Sequence, residues 1–402
     1  MDTENLSLNS ESRCIIDPGR FSLSRTHGFL LENPMVNLSS YFEQWNELSS
    51  KMPELVALHK FRQVVDQMPL LDHNKLESYR ELRLAHLQLS YIGSGYVWQE
   101  GDKGVPKTLP ACVAVPWCAV AEILGIKPIL SHPSLVLANW KLQDPEKPIS
   151  VENMVSILQL PGGEEADWFV IATAGVELSF THVIKPMLDA VEFASCRDVD
   201  RLSRALEDMT EGLTKMLGAL KRINERLKAE TFYNVLRPFL AGWGGEGSPL
   251  PEGLIYEGVS EEPKQMMGGS AAQSSLLQSI DAALGIRHEA DNRQFMLTMR
   301  QYMPQPHREL VDELEKKSCV QTFTTGSRDE RVKIAYNNCL SAVMVFRNFH
   351  MQIVTKNIIE MSERKDRNKE YKSIESKGTG GSSIMPFLKG LRGTTHQHKV
   401  DL

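Results

Sequence analysis

The chain has 402 residues, of which 42% are hydrophobic and 24% charged, a composition that predicts a globular protein of two or three domains with a sizeable core. Its formal net charge of -6 argues against nucleic acid or an anionic membrane as the main partner, since both require basic surfaces. Its six cysteines are widely spaced and form no C-x-x-C pair, so we expect reduced thiols and neither a zinc site nor disulfides.

No targeting or membrane segment is apparent in the sequence. The amino-terminal residues are polar and acidic, which argues against a secretory signal. The longest uncharged apolar run, 111–121, is far shorter than the ~20 residues of a spanning helix, and Pro116 interrupts it. We therefore expect a cytoplasmic protein without a membrane span.

The first part of the chain predicts a small helical domain over residues 1–158. Apolar residues recur at helical spacing over 41–65 and over 76–97. The stretch at 111–126 is almost entirely apolar and predicts a helix inside the core. We place the end of this domain before the Pro-Gly-Gly turn at 161–163.

His132 precedes a segment in which Ser134 is a candidate cap for a helix through Trp140. A histidine in such a loop is commonly exposed, but the residues that flank His132 are apolar. We therefore expect the His132 side chain to be partly buried.

A larger helical domain is predicted over residues 159–402, and it opens with a stretch, 167–180, that is apolar enough for a buried helix. A heptad pattern then predicts one helix about seven turns long, with apolar residues at alternating spacings of four and three: Leu202, Leu206, Met209, Leu213, Met216, Leu220, Ile223 and Leu227. Such a seam either packs within the chain or forms an intermolecular coiled coil. Because this seam contains methionine and stands alone, we expect it to pack within a monomer.

A Gly-, Pro- and Ser-rich loop over 242–269 is long enough to indicate a functional role. It leads into an S-x-x-Q capping box formed by Ser270 and Gln273, and Gly285 is expected to end the helix that follows. The Gly-Gly-Ser turn exposes backbone N–H groups. No lysine follows and no G-x-G-x-x-G is present, so close approach of the backbone to a ligand is favoured over a phosphate site.

The rest of the chain predicts helices over 293–303, 305–317 and 328–358, and a last helix over 384–393. The segment between the last two, 361–383, is charged at first and then rich in glycine. We expect this segment to be a mobile surface loop that acts as a lid.

A histidine stands in the middle of an apolar stripe within the helix predicted over 328–358. At helical spacing, one face carries the following residues: Cys339, Val343, Phe346, His350, Ile353 and Val354. A neutral imidazole in such surroundings suits haem iron, and Arg347, one turn earlier, could reach a propionate. By periodicity alone, however, such a histidine is more often a hydrogen-bonded core residue, so both interpretations stand.

Six ordered motifs resemble the indoleamine 2,3-dioxygenase family: LANWKLQDPEKP, FYNVLRPFLAGW, YEGVSEEP, GGSAAQSS, FRNFHMQIVTKNI and KGTGG. The resemblance covers nearly the whole chain. It implies an all-α, two-domain helical haem dioxygenase fold, in which one haem b per chain lies between a small amino-terminal and a large carboxy-terminal domain. It also implies the oxidative opening of the indole ring of L-tryptophan by O2 to N-formylkynurenine, the first step of the kynurenine pathway, with an electron donor that reduces the haem.

The resemblance also assigns residues around the haem. The proximal iron ligand falls on His350, and the arginine that supports haem binding falls on Arg347. Asp281 occupies the position of a carboxylate that assists haem retention, although on its own it could equally be a solvated helix residue. Ser270 and Ala271 match the backbone strip beside the haem edge.

On the substrate side, the stacking aromatics of the family correspond to Phe169 and Phe232, and its carboxylate-binding arginine to Arg237. These residue types suit the role, because a guanidinium binds a carboxylate in a bidentate manner and aromatic rings hold an indole. Gly269 is expected to permit close approach, and Thr379 lies in the closing loop, 378–382. The family requires no catalytic acid or base.

Two positions depart from the high-affinity members of the family. His132 stands where those members have a tyrosine, and Thr173 stands where they have a serine above the haem. Both changes resemble the 2-type branch of the family, so we expect activity with modest affinity for tryptophan.

Two alternatives from other functional classes stay open. The first is a non-enzymatic haem protein that binds oxygen on the same fold, because fold alone does not determine function. The second is a signalling scaffold, since LIYEGV around Tyr256 has the form of an immunoreceptor tyrosine-based inhibitory motif.

Overall fold

The computed structural model describes residues 16–245, 247–366 and 384–402, which fold into helices joined by irregular loops. The strands of these residues are two residues long and occur in pairs. β1 (Thr108–Leu109) pairs in parallel with β4 (Ile255–Tyr256), and β2 (Lys141–Leu142) pairs in antiparallel with β3 (Met154–Val155). The predicted all-α fold class is confirmed.

Five helices lie within the first 158 residues: α1 (Glu43–Ser50), α2 (Met52–Ala57), α3 (Phe61–Val65), α4 (Tyr79–Trp98) and α5 (Ala111–Leu124). The helical pattern over 41–65 is divided among three helices, since Pro53 lies in the first turn of α2 and His59 adopts a left-handed conformation with φ of 56°. α4 begins at a capping box of Ser78 and Glu81 and is buried along most of its length. The domain boundary near residue 158 stays a prediction.

The later helices of the described residues are α6 (Gly163–Ser179), α7 (Thr181–Ser195), α8 (Val199–Lys221), α9 (Ala229–Thr231), α10 (Arg237–Phe239), α11 (Ser275–Leu284), α12 (Ala290–Arg300), α13 (Gln305–Lys317), α14 (Val320–Gly326), α15 (Glu330–Val354), α16 (Glu360–Asp366) and α17 (Ile384–Gln397). Three π-helical turns occur in the described ranges: Pro133–Leu137 between α5 and α6, Phe232–Leu236 between α9 and α10, and Thr355–Ile359 between α15 and α16. The loop predicted over 361–383 begins as α16, and its remainder, 367–383, lies outside the described residues.

The long helix α8 packs along α7 and α15 at the centre of the larger helical part. Every apolar residue of its predicted seam is buried in the chain itself, which explains the strong apolar face and favours packing within the chain over a coiled coil. The helix ends at Lys221, earlier than predicted, and a 3-10 turn, Arg222–Glu225, follows it. Leu227 is therefore outside the helix, although its side chain still reaches the core.

The predicted cap at Ser134 is wrong. Its hydroxyl lies 2.6 Å from Nδ1 of the buried His86, and the segment it occupies is the π-helical turn Pro133–Leu137 rather than a helix through Trp140. Trp117 donates to the other imidazole nitrogen, Nε2, at 3.3 Å. Ser134 thus serves a buried polar cluster that fixes the segment after His132.

The capping box of Ser270 and Gln273 is present, but it caps a short 3-10 turn, Ala271–Gln273. α11 has its own cap in Ser274, whose hydroxyl accepts the amide of Leu276 at 3.2 Å. α11 ends at Gly285, which takes the predicted left-handed conformation with φ of 76°.

The signalling interpretation of Tyr256 does not fit the structure. Its ring is fully buried and its hydroxyl donates to the carbonyl of Pro128 at 2.7 Å, so no enzyme can reach it in the folded protein. No helix of the described residues is long and apolar enough to cross a membrane. The five cysteines in the described ranges are free thiols.

Candidate active site

A cavity of about 280 Å³ lies between α6, α15, α17 and the chain around residues 269–277. Its wall contains every predicted site residue that the structure describes: His132, Phe169, Thr173, Phe232, Arg237, Gly269, Ser270, Ala271, Asp281, Arg347 and His350. The one further predicted residue, Thr379, lies outside the described residues. Positions spread over more than 200 residues of sequence are therefore brought together, while their individual roles remain predictions.

His350 projects from α15 into this cavity. No hydrogen bond joins its imidazole to another described residue, which favours the iron-ligand interpretation of His350 over a hydrogen-bonded core histidine, and the role stays a prediction. Burial penalises the charged imidazolium and lowers the pKa of His350 to about 4. The ring is consequently neutral at pH 7 and has a nitrogen lone pair to offer to a metal.

Arg347, three residues before His350, is held by a buried ion pair. Its Nη2 lies 2.5 Å from Oδ2 of Asp281, and its Nη1 donates to Thr395 and to the carbonyl of Leu391. The same Oδ2 lies 2.8 Å from Nε2 of His288. α15, α11 and α17 therefore meet at one carboxylate–guanidinium contact.

The surroundings of Asp281 determine its charge. Burial alone would raise the pKa of its carboxyl, but the charges of Arg347 and His288 outweigh burial and lower that pKa below its usual value. The possibility that Asp281 is a solvated helix residue is wrong, since the residue is 3% exposed. His288 was missed by the sequence analysis, because nothing in the loop that carries it indicated proximity to Asp281.

The cavity wall fits a haem. An apolar surface from α15 and α17 surrounds the neutral imidazole of His350 and suits a porphyrin face. Two buried polar atoms beside it, Nε of Arg347 and Oδ1 of Asp281, have no hydrogen-bond partner in the described residues. Arg347 lines the cavity and keeps two N–H groups, that of Nε and one of Nη2, that no hydrogen bond to a described residue uses, so its guanidinium could pair with a propionate.

Packing of the chain requires glycine at Gly268, the residue before the predicted Gly269. A Cβ at Gly268 would come within 2.1 Å of the carbonyl oxygen of Leu240 and 2.4 Å of the amide of Gly242. A Cβ at Gly269 would make only ordinary contacts with the protein, the nearest at 3.5 Å, so the expected close approach of Gly269 to a ligand stays a prediction. At Gly268 the close approach is between two segments of the chain itself, and it fixes the strip that carries Ser270.

Two phenylalanines form an aromatic corner of the cavity. The ring centroids of Phe169 and Phe232 are 5.2 Å apart, with 54° between the ring planes. Thr173, one turn after Phe169 on α6, donates its hydroxyl to the carbonyl of Phe169 at 2.6 Å. The hydroxyl of Thr173 is therefore occupied by its own helix.

Arg237 and Phe232 line the same cavity because of a π-helical turn. The two residues are five positions apart, and in a regular α-helix their side chains would point about 140° apart. The turn Phe232–Leu236 has the wider i to i+5 bonding, which brings such residues towards one side. The Arg237 guanidinium also lies 5.2 Å from the centroid of the Tyr233 ring.

His132 is more deeply buried than predicted and is joined to a carboxylate. Its Nε2 lies 2.7 Å from Oε1 of Glu177, and Ser274 donates its hydroxyl to the same oxygen at 2.6 Å. Both His132 and Glu177 line the cavity. The sequence analysis missed Glu177, although its position eight residues after Phe169 places it on the same face of α6.

An all-helical chain that directs a neutral histidine and an arginine into one apolar cavity belongs to the class of helical haem proteins with room for a second ligand. Comparison with known families makes this specific. The model of the indoleamine 2,3-dioxygenase family matches residues 17–398, and the chain belongs to that family. The predictions of a haem cofactor and of an oxidoreductase that uses O2 are confirmed at this level.

The relatives carry two kinds of name. A protein named myoglobin from Haliotis madaka is 40% identical over 383 residues, 95% of this chain and 98% of its own length. Indoleamine 2,3-dioxygenase 1 of Mus musculus is 39% identical over 92% of both chains, and indoleamine 2,3-dioxygenase 2 of Homo sapiens is 35% identical over 93% of both. These identities do not separate the two branches of the family, so the resemblance to the 2-type branch stays a prediction.

Replacing Asp281 by asparagine should destabilise the protein, because it leaves the buried charge of Arg347 without a partner. Breaking a buried ion pair in this way costs about 3–5 kcal/mol, measured as the free energy of unfolding in denaturant. As a control, Glu211→Gln removes an exposed carboxylate 2.8 Å from Lys215 and should change stability little.

The pH dependence of this difference provides a second measurement. Because the pKa of Asp281 is lowered in the folded state, its contribution is complete above the unfolded pKa of ~4 and is lost as the pH falls through the lower folded value. The stability gap between the wild type and Asp281→Asn should therefore narrow below about pH 4. An unchanged gap, or one no larger than that of the control, would contradict the assignment.

Proposed function

We propose that this protein is a haem-dependent dioxygenase that opens the indole ring of L-tryptophan with O2 to give N-formylkynurenine. The observation that carries the proposal is the location of Arg237 in the same cavity as His350 and the Phe169–Phe232 corner. This arrangement offers one site for an iron and another for an aromatic amino acid. The names of the dioxygenase relatives support the same reaction.

His350 is the protein ligand of the iron in this proposal, and the Arg347–Asp281 pair fixes the helix that carries it. When bound, the haem supplies the activation of O2, and the indole provides the electrons. The product contains both oxygen atoms and all the hydrogen atoms of tryptophan, so the reaction needs no net proton transfer. This balance agrees with the expectation that no residue acts as a catalytic acid or base.

The substrate is held by its two ends. The guanidinium of Arg237 binds the carboxylate, and the rings of Phe169 and Phe232 pack against the indole. Holding the indole in a fixed position accounts for much of the catalytic effect, since the protein has mainly to orient the reactants and exclude water. Tryptophan, O2 and an electron donor are the partners that the reaction requires. A monomeric state and a cytoplasmic location remain predictions from the sequence.

The His350→Ala variant should fold but retain little haem, because His350 supplies the only iron ligand identified in the described residues. Haem content follows from the ratio of haem to protein absorbance after purification. The matched control is Gln352→Ala, an exposed position on the same helix, which should bind haem normally. Stoichiometric, normally ligated haem in His350→Ala would show that another residue binds the iron.

The Arg237→Ala variant should raise the KM for tryptophan at least tenfold, since a charge-assisted pair with a desolvated carboxylate contributes about 1.5–3 kcal/mol. Its haem content should not change. Tryptamine, which lacks the carboxylate, gives the matched comparison, because its binding should be insensitive to this substitution. An equal loss for both ligands would mean that Arg237 supports the pocket without binding the carboxylate.

A second candidate function is reversible oxygen binding without turnover, and the relative named myoglobin favours it. The two functions differ in their need for Arg237, which an oxygen carrier does not require. The deciding experiment is reduction under anaerobic conditions, titration with tryptophan followed by absorption spectroscopy, and then admission of O2. A haem spectrum that ignores tryptophan, with a stable oxygen complex and no product, would establish the carrier.

Modest affinity for tryptophan is a further part of the proposal. His132 brings a polar imidazole to the cavity wall, and Thr173 brings a methyl group that serine lacks. Both features disfavour a tightly packed indole: Nδ1 of His132, unlike Nε2, has no partner among the described residues and would oppose apolar contact, and the methyl group of Thr173 takes up volume.

The His132→Tyr variant should therefore lower the KM for tryptophan. Adding Thr173→Ser should lower it further by removing one methyl group, an effect on the order of 1 kcal/mol. Steady-state kinetics of the single and double variants measure both effects. A tyrosine variant that binds tryptophan no better would show that the weak affinity originates elsewhere in the cavity.

A further inference from the structure

We propose that Glu177 is a positioning residue that holds the imidazole of His132 by Nε2 and thereby directs Nδ1 to the cavity, where it selects for indole substrates with a hydroxyl group on the ring. The inference rests on the proposed function, because it concerns the same cavity. It adds a residue, Glu177, and a class of preferred substrate, the ring-hydroxylated indole amino acids.

Glu177 is placed to orient a neighbour. It is 1% exposed and lies one turn after Thr173 and two turns after Phe169 on the face of α6 that lines the cavity. Its Oε1 is shared by Nε2 of His132 and the hydroxyl of Ser274. Because Ser274 is also the cap of α11, the carboxylate is anchored to a second element and cannot rotate freely with the imidazole.

His132 is fixed at two points. Its backbone amide donates to Oε1 of Gln273 at 3.1 Å, and Gln273 in turn donates to the carbonyl of Gly268 at 2.8 Å. With the backbone held by Gln273 and Nε2 held by Glu177, the orientation of the ring is determined. A ring fixed in this way presents one particular atom to the cavity.

That atom is Nδ1. Nδ1 makes no hydrogen bond within the described residues, whereas Nε2 binds Glu177. Nδ1 is also not one of the fully buried polar atoms without a partner, so it has access to open space. Neighbouring polar groups on the wall are already occupied, since Thr173 donates to its own helix and Ser274 donates to Glu177. Nδ1 of His132 is thus a hydrogen-bonding atom that faces the cavity and that the protein leaves for a ligand.

A hydroxyl group is the partner that suits this atom in either protonation arrangement. If Nε2 carries the proton and donates to the carboxylate of Glu177, Nδ1 is an acceptor. If Nδ1 carries the proton instead, Nδ1 is a donor. A hydroxyl can both donate and accept, whereas the unsubstituted indole edge offers only C–H groups. A site that forms such a bond discriminates against the analogue without the hydroxyl, because its own polar atom is then left unpaired.

The test compares kcat/KM for 5-hydroxytryptophan with kcat/KM for tryptophan in the haem-loaded protein. His132→Phe should lower this ratio by about fivefold or more, the loss expected for one hydrogen bond. Glu177→Leu should lower it to a similar extent, whereas Glu177→Gln keeps an acceptor for Nε2 and should retain the wild-type ratio. Combining Glu177→Leu with His132→Phe should add nothing, because Glu177 acts through His132. Glu164→Leu, at an exposed position of α6, is the matched control.

The outcomes separate the inference from the proposed function. If the protein turns over neither substrate, the dioxygenase proposal fails, but the ratio of dissociation constants from haem absorption titrations still tests the inference. If turnover is normal and His132→Phe leaves the ratio unchanged, the inference is wrong. If Glu177→Gln loses selectivity as fully as Glu177→Leu, or if the double variant loses more than His132→Phe alone, Glu177 does not act by orienting His132.

Discussion

The buried contact between Arg347 and Asp281 is the interaction on which the haem side of the cavity depends. It joins α15 to α11, and through Thr395 and the carbonyl of Leu391 it also holds α17. Each of these two buried charges compensates the other, and removing either one would leave the remaining charge buried without a partner. His350 follows Arg347 by less than one turn, so the position of this proposed iron ligand is set by an ion pair that need not touch the iron.

Helix α11 connects this contact to the other polar cluster of the cavity wall. Its cap, Ser274, hydrogen-bonds Glu177 and so reaches His132, while Asp281, about two turns later, meets Arg347. The helix therefore carries a carboxylate contact on the haem side and a hydroxyl contact on the substrate side. Apolar side chains fill the wall between them, which makes each cluster strong electrostatically because little water screens it.

Features with a local or repetitive signal were predictable from the sequence. The buried α8 seam, the presence of a capping box at Ser270 and the left-handed Gly285 follow from spacing and residue type and are confirmed, although α8 ends at Lys221 and the box caps a 3-10 turn. His350 was identified as a candidate by its apolar stripe, but only the family resemblance distinguished an iron ligand from an ordinary core histidine. Local rules could not give that distinction, because it depends on what lies opposite the ring.

Long-range polar contacts were not predictable in the same way. Glu177 and His288 are single charged residues in ordinary sequence surroundings, and their partners are 45 and 7 residues away. Ser134 had the sequence pattern of a helix cap, but its hydroxyl is hydrogen-bonded to the buried His86, 48 residues away. Packing requires glycine at Gly268, which the sequence did not single out, because the chain around Leu240 lies against it. In each case tertiary packing decided between locally equivalent choices.

The three π-helical turns make the direction of side chains in the cavity wall depend on the length of the chain as well as on residue type. Each turn borders residues of the wall: one follows His132, one separates Phe232 from Arg237, and one follows the helix of His350. In such a turn, the face on which a side chain emerges depends on the number of residues in the turn as well as on their identity. Gain or loss of a single residue there would rotate the following side chains by about 100° while leaving every residue type in place. Specificity in this fold can therefore diverge by length changes inside helices, and alignments that place gaps only in loops would misassign the residues of the wall.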